Sequence, residues 1–305
     1  MPRKQEAHPK EEVFVDVEGR TLKISSLSKV LYPRTGTTKG EVLSYYAQIA
    51  PVLLPHLKDR AVTRIRWPHG VDDMSFFEKN APSGTPSWVR TVTVPTTGSR
   101  AQSSSDTLTF PIVDDLATLT WLVNLAALEL HVHQWTVGRN GRPRNADRLV
   151  IDLDPGEPAG LHECCQVALL VAERLEERGL TVKPVTSGSK GLHLYADLPK
   201  RMRSEDSTAL AKQVADDLEK AVPKQVTATM TKARRSGKVF LDWSQNSGSK
   251  TTISPYSLRG KDKPYVATPL GWDEVEAGAE DPDALEQFRY DQVLARVEEY
   301  GDLFA

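Results

Sequence analysis

The sequence predicts an α/β fold in which the strands of a sheet carry the functional side chains. Between residues 149 and 245 the patterns follow the order strand, helix, strand, helix, strand, strand, which indicates a sheet covered by helices. Three of these strand-like segments, IDLDPG, SGSKGLHLY and VFLDWSQN, combine apolar residues with acidic or basic ones. The 305 residues, 39% hydrophobic and 26% charged, suit a globular protein of one large domain or two lobes.

The N-terminal part is predicted to begin with a disordered tail, a hairpin and a helix. Residues 1–12 are polar and are expected to be disordered. Alternation in VFVDVEG and TLKISS predicts a hairpin closed by the Glu-Gly pair at 18–19. Thr38 and Glu41 match a capping box for a helix through YYAQIAPVLL, which Pro51 should kink or split.

Two short strands, TRIRWPHG and MSFFEKN, are predicted around a turn at Pro68–Gly70, and the second contains adjacent aromatic residues. Successive residues on a strand face opposite ways, so we expect either Phe76 or Phe77 to face solvent or a ligand. The alternative is that both pack in the core with a bend between them. The Ser/Gly-rich stretch Thr96–Asp106 predicts a surface loop.

The middle of the chain is predicted to contain a long apolar helix. The segment PIVDDLATLTWLVNLAALELH is opened by Asp114 or Asp115, and we expect its end to present His131, His133 and Trp135. The turn GRNGRPRNADR then leads into the strand that contains IDLD.

The remaining elements alternate between helix and strand. Amphipathic helices are predicted for HECCQVALLVAERLEERG and for SEDSTALAKQVADDLEKAV, with strands in TVKPVTSG, VTATMTK and KVFLDWSQ. Two short acidic helices are expected after Trp272. Cys164 and Cys165 are adjacent in a helix and are predicted to be small semi-buried residues, which argues against a zinc or thiol site.

Charge is unevenly distributed along a chain whose net charge is only −2. Residues 183–263 carry sixteen Lys or Arg against eight Asp or Glu, whereas residues 270–305 carry two against eleven. A basic face can bind phosphate backbones even when an acidic tail brings the net charge of the whole chain close to zero. The N-terminus lacks a signal sequence and no apolar run is long enough to cross a membrane, so we expect a cytoplasmic protein.

The segment IDLDPG is the strongest candidate for a metal site. Asp152 and Asp154 are two residues apart on a predicted strand, so both carboxylates face the same way and can hold a pair of divalent cations. Their neighbours are apolar, and charges in such a run are costly unless they are ligated. Asp242, between Leu241 and Trp243, is the natural third carboxylate and a candidate base for a hydroxyl proton.

The segment SGSKGLHLY suits a polyphosphate. Its glycines allow backbone N–H groups to approach phosphate oxygens, its serines donate hydroxyls, and its lysine adds charge. A plain turn between strands is the alternative for such a segment in isolation. Metal, phosphate and a third carboxylate together predict phosphoryl transfer.

These motifs resemble a known family. The chain resembles the polymerase domain of bacterial ATP-dependent DNA ligase D and stand-alone primase-polymerases of the archaeo-eukaryotic primase superfamily. The segments that carry this resemblance are RLVIDLDPG, PVTSGSKGLHLY, KVFLDWSQNSGSKTTISPYSLRG, VATPLGWDEV, KVLYP, RWPHGVD, FFEKN and LELHVHQW. The resemblance covers nearly the whole chain. It implies a primase-type core with an RNA-recognition-like sheet carrying the acidic site, plus a smaller N-terminal β/α subdomain.

The resemblance also implies roles for individual residues. Asp152, Asp154 and Asp242 would be catalytic and would bind two manganese or magnesium ions. The residues expected to contact the nucleoside triphosphate are His131, Ser187, Gly188, Ser189, Lys190, Gly191, His193, Arg235, Gln245 and Arg259. The residues expected to contact DNA are Lys29, Lys39, Phe76 and Phe77, the two lysines at a 5′-phosphate. Many relatives have Arg where this chain has Gln245, so Arg235 is expected to supply that charge.

We therefore predict a template-directed DNA or RNA nucleotidyltransferase that fills gaps and extends ends in double-strand-break repair by non-homologous end joining, with ribonucleotides favoured. The Ku end-binding protein and a DNA ligase module are the expected partners. The alternatives are a stand-alone primase-polymerase that makes primers or fills short excision-repair gaps, and a catalytically silent DNA-end-binding module. The single predicted domain, 13–305, divides into an N-terminal DNA-end-binding part (13–110), a catalytic core (111–269) and acidic C-terminal helices (270–305).

Overall fold

The structure is a computed structural model that describes residues 12–95 and 107–305. The predicted loop Thr96–Asp106 and residues 1–11 of the predicted tail lie outside the described residues, whereas Glu12 already belongs to the first strand. The helices of the described ranges are α1 (Lys39–Leu57), α2 (Leu116–Asn124), α3 (Leu161–Glu176), α4 (Ser204–Ala221), α5 (Trp272–Glu280) and α6 (Tyr290–Tyr300).

The strands are mostly short and lie in a mixed arrangement with the helices. They are β1 (Glu12–Val17), β2 (Arg20–Ser25), β3 (Val30–Tyr32), β4 (Thr37–Thr38), β5 (Val62–Arg66), β6 (Phe76–Glu78), β7 (Thr91–Pro95), β8 (Thr107–Pro111), β9 (Ala127–Val132), β10 (Trp135–Val137), β11 (Pro143–Pro155), β12 (Val182–Thr186), β13 (Leu192–Met202), β14 (Val226–Thr227), β15 (Val239–Asp242) and β16 (Thr252–Ile253). The α/β class predicted from the sequence is confirmed.

The largest sheet has the strand order β12-β13-β11-β15-β14, with β10 paired to β11. Leu149, Ile151 and Leu153 alternate along β11 and pack in one core with the apolar residues of α3 and α4. Since side chains alternate across a strand, the even-numbered residues of this stretch face away from the two helices. The functional side chains of β11 are therefore on the face that the helices do not cover.

A second sheet, in the order β16-β9-β5-β6, lies beside α1 and α2. Helix α1 begins with the predicted capping box, in which Thr38 and Glu41 each accept a backbone N–H of the other. Tyr45 and Tyr46 of α1 are buried, and their hydroxyls donate to the backbone carbonyls of Tyr256 and Leu128. These hydrogen bonds satisfy the polar ends of two aromatic side chains in the core.

The predicted long helix through LELH was wrong. Asp115 does open α2, because its side chain accepts the N–H of Thr118, but the helix ends at Asn124. Ala126 has a φ of +62°, in the left-handed region, and β9 begins at the next residue. His131 lies on this strand. Nearly every residue of the segment is buried, so its apolar run had no periodicity that could separate helix from strand.

Other sequence predictions had mixed outcomes. The hairpin β1–β2, the helices α3 and α4 and the two C-terminal helices are confirmed. Pro51 lies inside α1, which is assigned without a break, and the strand predicted for VTATMTK is reduced to Val226–Thr227. Cys164 and Cys165 are buried and unpaired. Within residues 12–95 and 107–305, none of the helices is long and apolar enough to span a bilayer.

Candidate active site

The three predicted aspartates lie on two adjacent strands of the large sheet. Asp152 and Asp154 are on β11, and Asp152 is directly opposite Asp242 of β15 in the antiparallel register. Directly opposed residues point to the same face with Cβ atoms about 4.5–5.5 Å apart. The other neighbour of Asp152 in the register is His193 of β13, whose Nε2 is 3.4 Å from Asp152 Oδ1. The sheet therefore aligns His193, Asp152 and Asp242 in one row, with Asp154 beside it.

The carboxylates of this row influence one another. Partial burial, followed by the charge of Asp152, raises the pKa of Asp154, and Asp242 acts in the same direction. Arg235 opposes this rise and lies 3.2 Å from Asp154 Oδ2. Such mutual repulsion is what a bound cation would relieve, and carboxylate oxygens are the ligands that Mg²⁺ and Mn²⁺ prefer. The donor set therefore fits a divalent cation.

Asp242 is held by side chains that follow it in the chain. Its Oδ2 accepts from Gln245 Nε2 at 2.9 Å, and its Oδ1 accepts from the backbone N–H and the hydroxyl of Ser244. Lys250 Nζ in turn donates to the Ser244 hydroxyl. Gln245 thus positions Asp242, a contact that the sequence analysis did not anticipate. In the part of the chain that the structure describes, no group of three or more Asp, Glu, His or Cys side chains is arranged, as placed, so that it could hold a metal ion.

The SGSKG segment is a tight turn at the end of β12, pressed against β11. The Ser187 hydroxyl accepts the N–H groups of Ser189 and Gly191 at 3.1 and 3.2 Å. Gly191 is so close to β11 that an added Cβ would be 1.9 Å from the Leu153 carbonyl oxygen. Gly188 has a φ of +65°, and its Cβ would be 2.5 Å from Arg259 Cγ. The glycines are therefore required by the fold of this turn.

Lys190 reaches outward from the same turn. Its ammonium group is 3.1 Å from Glu157 Oε1, and both side chains are largely exposed. An exposed pair of this kind contributes little stability and exchanges readily with solvent. Lys190 is thus available to an anionic ligand at this edge of the site.

A buried carboxylate on β9, Glu129, organises two of the predicted nucleotide contacts. Its Oε2 is 2.8 Å from His131 Nε2 and 3.4 Å from Arg259 NH1, and its Oε1 accepts the N–H of Gly260. Burial acts to raise the pKa of Glu129, but the hydrogen bond with His131 and the charge of Arg259 lower it to about 2. The carboxylate is ionised at neutral pH.

Glu129 also determines which nitrogen of His131 a ligand can reach. Burial lowers the pKa of His131, and the hydrogen bond with Glu129 acts in the opposite direction. Because a carboxylate only accepts, Nε2 donates to it, and in a neutral ring Nδ1 is the remaining acceptor. The sequence analysis missed Glu129 because it assigned LELH to a helix. Strand alternation would have placed Glu129 and His131 on one face.

A cavity of about 300 Å³ connects these groups. The predicted residues that line it are His131, Asp152, Asp154, Ser187, Ser189, Lys190, Gly191, His193, Gln245 and Arg259. Thr251, Thr252 and Ile253 line it as well and were not predicted. Three more predicted residues lie next to the cavity. Gly188 is close to Arg259, Arg235 pairs with Asp154, and Asp242 accepts from Gln245. The structure thus brings the three distant segments of the sequence around one polar cavity.

The two predicted phosphate-binding lysines lie apart from this cavity. Lys39 is 5% exposed, and its Nζ donates to Ser25 O at 2.6 Å and to Asn124 Oδ1 at 2.7 Å. Burial, together with the nearby charge of Lys29, lowers the pKa of Lys39 to about 8. Lys29 Nζ donates to the Pro68 carbonyl. The lysines are neighbours, and both ammonium groups already have protein partners.

Phe76 and Phe77 are both exposed, at 43% and 51% of their surface. This excludes the alternative in which both pack in the core. In the sheet Phe77 pairs with Ile65, and Ile65 pairs with Glu129, so these three side chains share one face. Phe76 is on the opposite face. Phe77 is therefore the aromatic residue on the same side of the sheet as the cavity.

Comparison with known proteins places these features in a family context. Residues 38–304 match the model of the LigD primase-polymerase domain. The chain is 48% identical over 284 residues to a Mycolicibacterium smegmatis protein described as multifunctional non-homologous end joining protein LigD, covering 93% of this chain but 36% of that protein. A Bacillus subtilis bifunctional LigD is 34% identical over 281 residues, covering 92% of this chain and 43% of that protein. The chain thus spans about a third to two fifths of these relatives.

A solved structure is similar over nearly its whole length. The polymerase domain of Mycobacterium tuberculosis ligase D, in complex with DNA, superposes with a TM-score of 0.86 and 48% sequence identity. The match covers 92% of this chain and 96% of that domain. The overall arrangement of helices and sheets is therefore shared.

Proposed function

This chain belongs to the LigD primase-polymerase domain family, and we propose that it is a template-directed nucleotidyltransferase that adds nucleotides at DNA ends and short gaps during non-homologous end joining. The observation that supports this most directly is the row of His193, Asp152 and Asp242 beside a polar cavity and the SGSKG turn. Carboxylates and a lysine-bearing turn at one cavity suit phosphoryl transfer.

Asp152, Asp154 and Asp242 are the residues that would hold two divalent cations, manganese or magnesium. When bound, such a cation pair neutralises the triphosphate and lowers the pKa of the attacking 3′-hydroxyl. The protein contributes the fixed positions of the carboxylates. Asp152 and Asp154 are set by strand alternation, and Asp242 is oriented by Ser244 and Gln245. Asp242 is also the proposed acceptor of the hydroxyl proton.

The nucleoside triphosphate is proposed to lie along the cavity. Lys190 and Arg259 supply positive charge, and Ser187 and Ser189 line the same cavity with hydroxyl groups that can donate to phosphate oxygens. His131 presents Nδ1 as an acceptor, which suits a hydroxyl of the sugar. Arg235 is proposed to move from Asp154 to the substrate when cations neutralise that carboxylate. Ribonucleotides are the favoured substrates in this proposal.

DNA is proposed to enter from the second sheet. Phe77 can stack on a template base, an interaction worth about 1–3 kcal/mol per base. Lys29 and Lys39 form the proposed site of a recessed 5′-phosphate. The Ku end-binding protein and a ligase module are the proposed partners, in keeping with the names of the relatives as end-joining LigD proteins.

Primer extension on a gapped, 5′-phosphorylated DNA with manganese tests the assignment. Asp152→Ala and Asp242→Ala should each reduce incorporation to background while the circular dichroism spectrum stays unchanged. The matched control is Asp197→Ala on β13, an exposed carboxylate paired with Lys183, which should keep normal activity. Full activity in either active-site variant would refute the metal assignment.

Two further outcomes distinguish the alternatives. Dinucleotide synthesis on an unprimed single strand would identify a primase. Tight binding to 5′-phosphorylated ends without any incorporation by the wild type would identify a silent DNA-end-binding module.

A further inference from the structure

We propose that the turn between β10 and β11, residues 138–144, is a second DNA-binding site that contacts the phosphate backbone of a duplex far from the reacting end. This turn is called the arginine turn below. The proposal rests on the proposed function, since it assumes that the chain works on DNA. It concerns a surface that no catalytic or end-binding role accounts for.

Three arginines of the arginine turn are exposed and have no acidic partner. Arg139, Arg142 and Arg144 form no ion pair with the Asp and Glu residues of the described ranges. Almost every other arginine in residues 12–95 and 107–305 is paired with a carboxylate. The two exceptions are Arg148, which is buried, and Arg234, which precedes Arg235 in the chain. Four exposed arginines of the described ranges therefore lack a carboxylate partner, Arg234 and the three of the arginine turn.

The acidic residue that follows the turn most closely in the sequence does not neutralise it. Asp147, three residues after Arg144, already binds two other arginines, with Oδ1 2.8 Å from Arg60 NH2 and Oδ2 3.3 Å from Arg201 NH2. Lys200 at the end of β13 is also exposed. The local field is therefore positive although the whole chain has a net charge of −2.

The backbone of the turn is well anchored. Gly138 N–H donates to Arg142 O at 2.8 Å, and the strand that precedes the turn is fixed by the buried Trp135, whose Nε1 donates to Gly248 O at 2.9 Å. The N–H of Val137 donates to Asp59 O. A fixed backbone beneath the arginine side chains reduces the entropy lost when they bind phosphates.

Strand β11 gives the distance from this turn to the active site. Eight residues separate Arg144 from Asp152, and at about 3.3 Å per residue the separation is about 26 Å. Since a duplex rises 3.4 Å per base pair, this corresponds to about eight base pairs. DNA bound at the active site therefore reaches the arginine turn only if its duplex is longer than that. Because exposed arginines bind phosphate oxygens without reading bases, the contact should not depend on sequence.

Equilibrium binding of two duplexes tests the proposal. Fluorescence anisotropy, without metal or nucleotide, compares a 20-base-pair duplex with a 6-base-pair duplex across a range of salt concentrations. The test variant is Arg139→Gln, Arg142→Gln, Arg144→Gln. A control of equal charge change is Arg174→Gln, Arg178→Gln, Arg289→Gln, whose arginines are paired with carboxylates elsewhere on the surface.

The expected effect of the substitutions depends on the length of the duplex. For the long duplex, the slope of log affinity against log salt should decrease by about 0.9 for each lost phosphate contact, hence by about 2–3 in the test variant. The short duplex and the control variant should behave like the wild type, and replacing the three arginines by lysine should restore the slope. Single Arg142→Gln should lower the slope by about 0.9 if the triple variant folds poorly.

An unchanged slope on the long duplex would overturn the proposal, and so would an equal loss on both duplexes or in the control variant. Because the assay involves no incorporation, its outcome is separate from that of the proposed function. A wild type that binds through the turn but never extends a primer would refute only the latter.

Discussion

Replacing Glu129 by Gln is the most informative test of how the active site is held together. Gln preserves the shape of the side chain but removes the charge, which in the native structure faces both His131 and Arg259. The side chain is 5% exposed, so water cannot substitute for the lost interaction. The variant leaves the half-buried Arg259 beside a neutral amide.

The pKa of Glu129 gives the magnitude. It is lowered from 4.5 to about 2, and each unit corresponds to 1.36 kcal/mol, so ionised Glu129 stabilises the fold by up to about 3 kcal/mol at pH 7. A lowered carboxylate pKa contributes stability above the unfolded value of 4.5 and loses it as the pH falls toward 2. The difference between wild type and variant should therefore shrink to about 2 kcal/mol at pH 3.5.

Urea unfolding of both proteins at the two pH values measures this difference, with Glu177→Gln, an exposed partner of Arg174, as control. Kinetics on the same variant should show a larger rise of KM for the nucleotide than fall of kcat, because His131 and Arg259 line the cavity. A cost below about 1 kcal/mol at pH 7, or a difference that grows at low pH, would show that the carboxylate is not stabilised as described.

Three other perturbations have defined outcomes. Gly188→Ala should cost about 1–2 kcal/mol and raise the KM for the nucleotide, because the residue is in the left-handed region and its Cβ would meet Arg259; wild-type kinetics would contradict this. Phe77→Ala should weaken template binding by about 1–3 kcal/mol in an anisotropy titration, whereas Phe76→Ala on the opposite face should have a smaller effect; equal losses would argue against the facial assignment. The preference for 5′-phosphate over 5′-hydroxyl gaps should decline as the pH rises from 7 to 9, because the pKa of Lys39 is about 8 and its ammonium loses its charge in that range. This decline should be absent in Lys39→Met. A pH-independent preference in the wild type would place the phosphate elsewhere.

Sequence patterns were most informative where the pattern was local. Alternation around Asp152 and Asp154 predicted the strand and the shared direction of both carboxylates, and the Thr38 capping box predicted the start of α1. They were least informative where every residue is buried, as in β9, because a continuous apolar run looks the same in a helix and in a strand. The same error concealed Glu129.

The sequence by itself determined the chemistry of each segment and, where alternation or amphipathic periodicity was visible, its strand or helix character, since both follow from residue type and from the spacing of neighbouring residues. Only the tertiary structure decided that Asp242 lies opposite Asp152, that Gln245 holds Asp242, and that Lys39 is buried. These contacts depend on strand register and on the packing of two cores, which are set by residues many positions away in the chain. No local pattern carries that information.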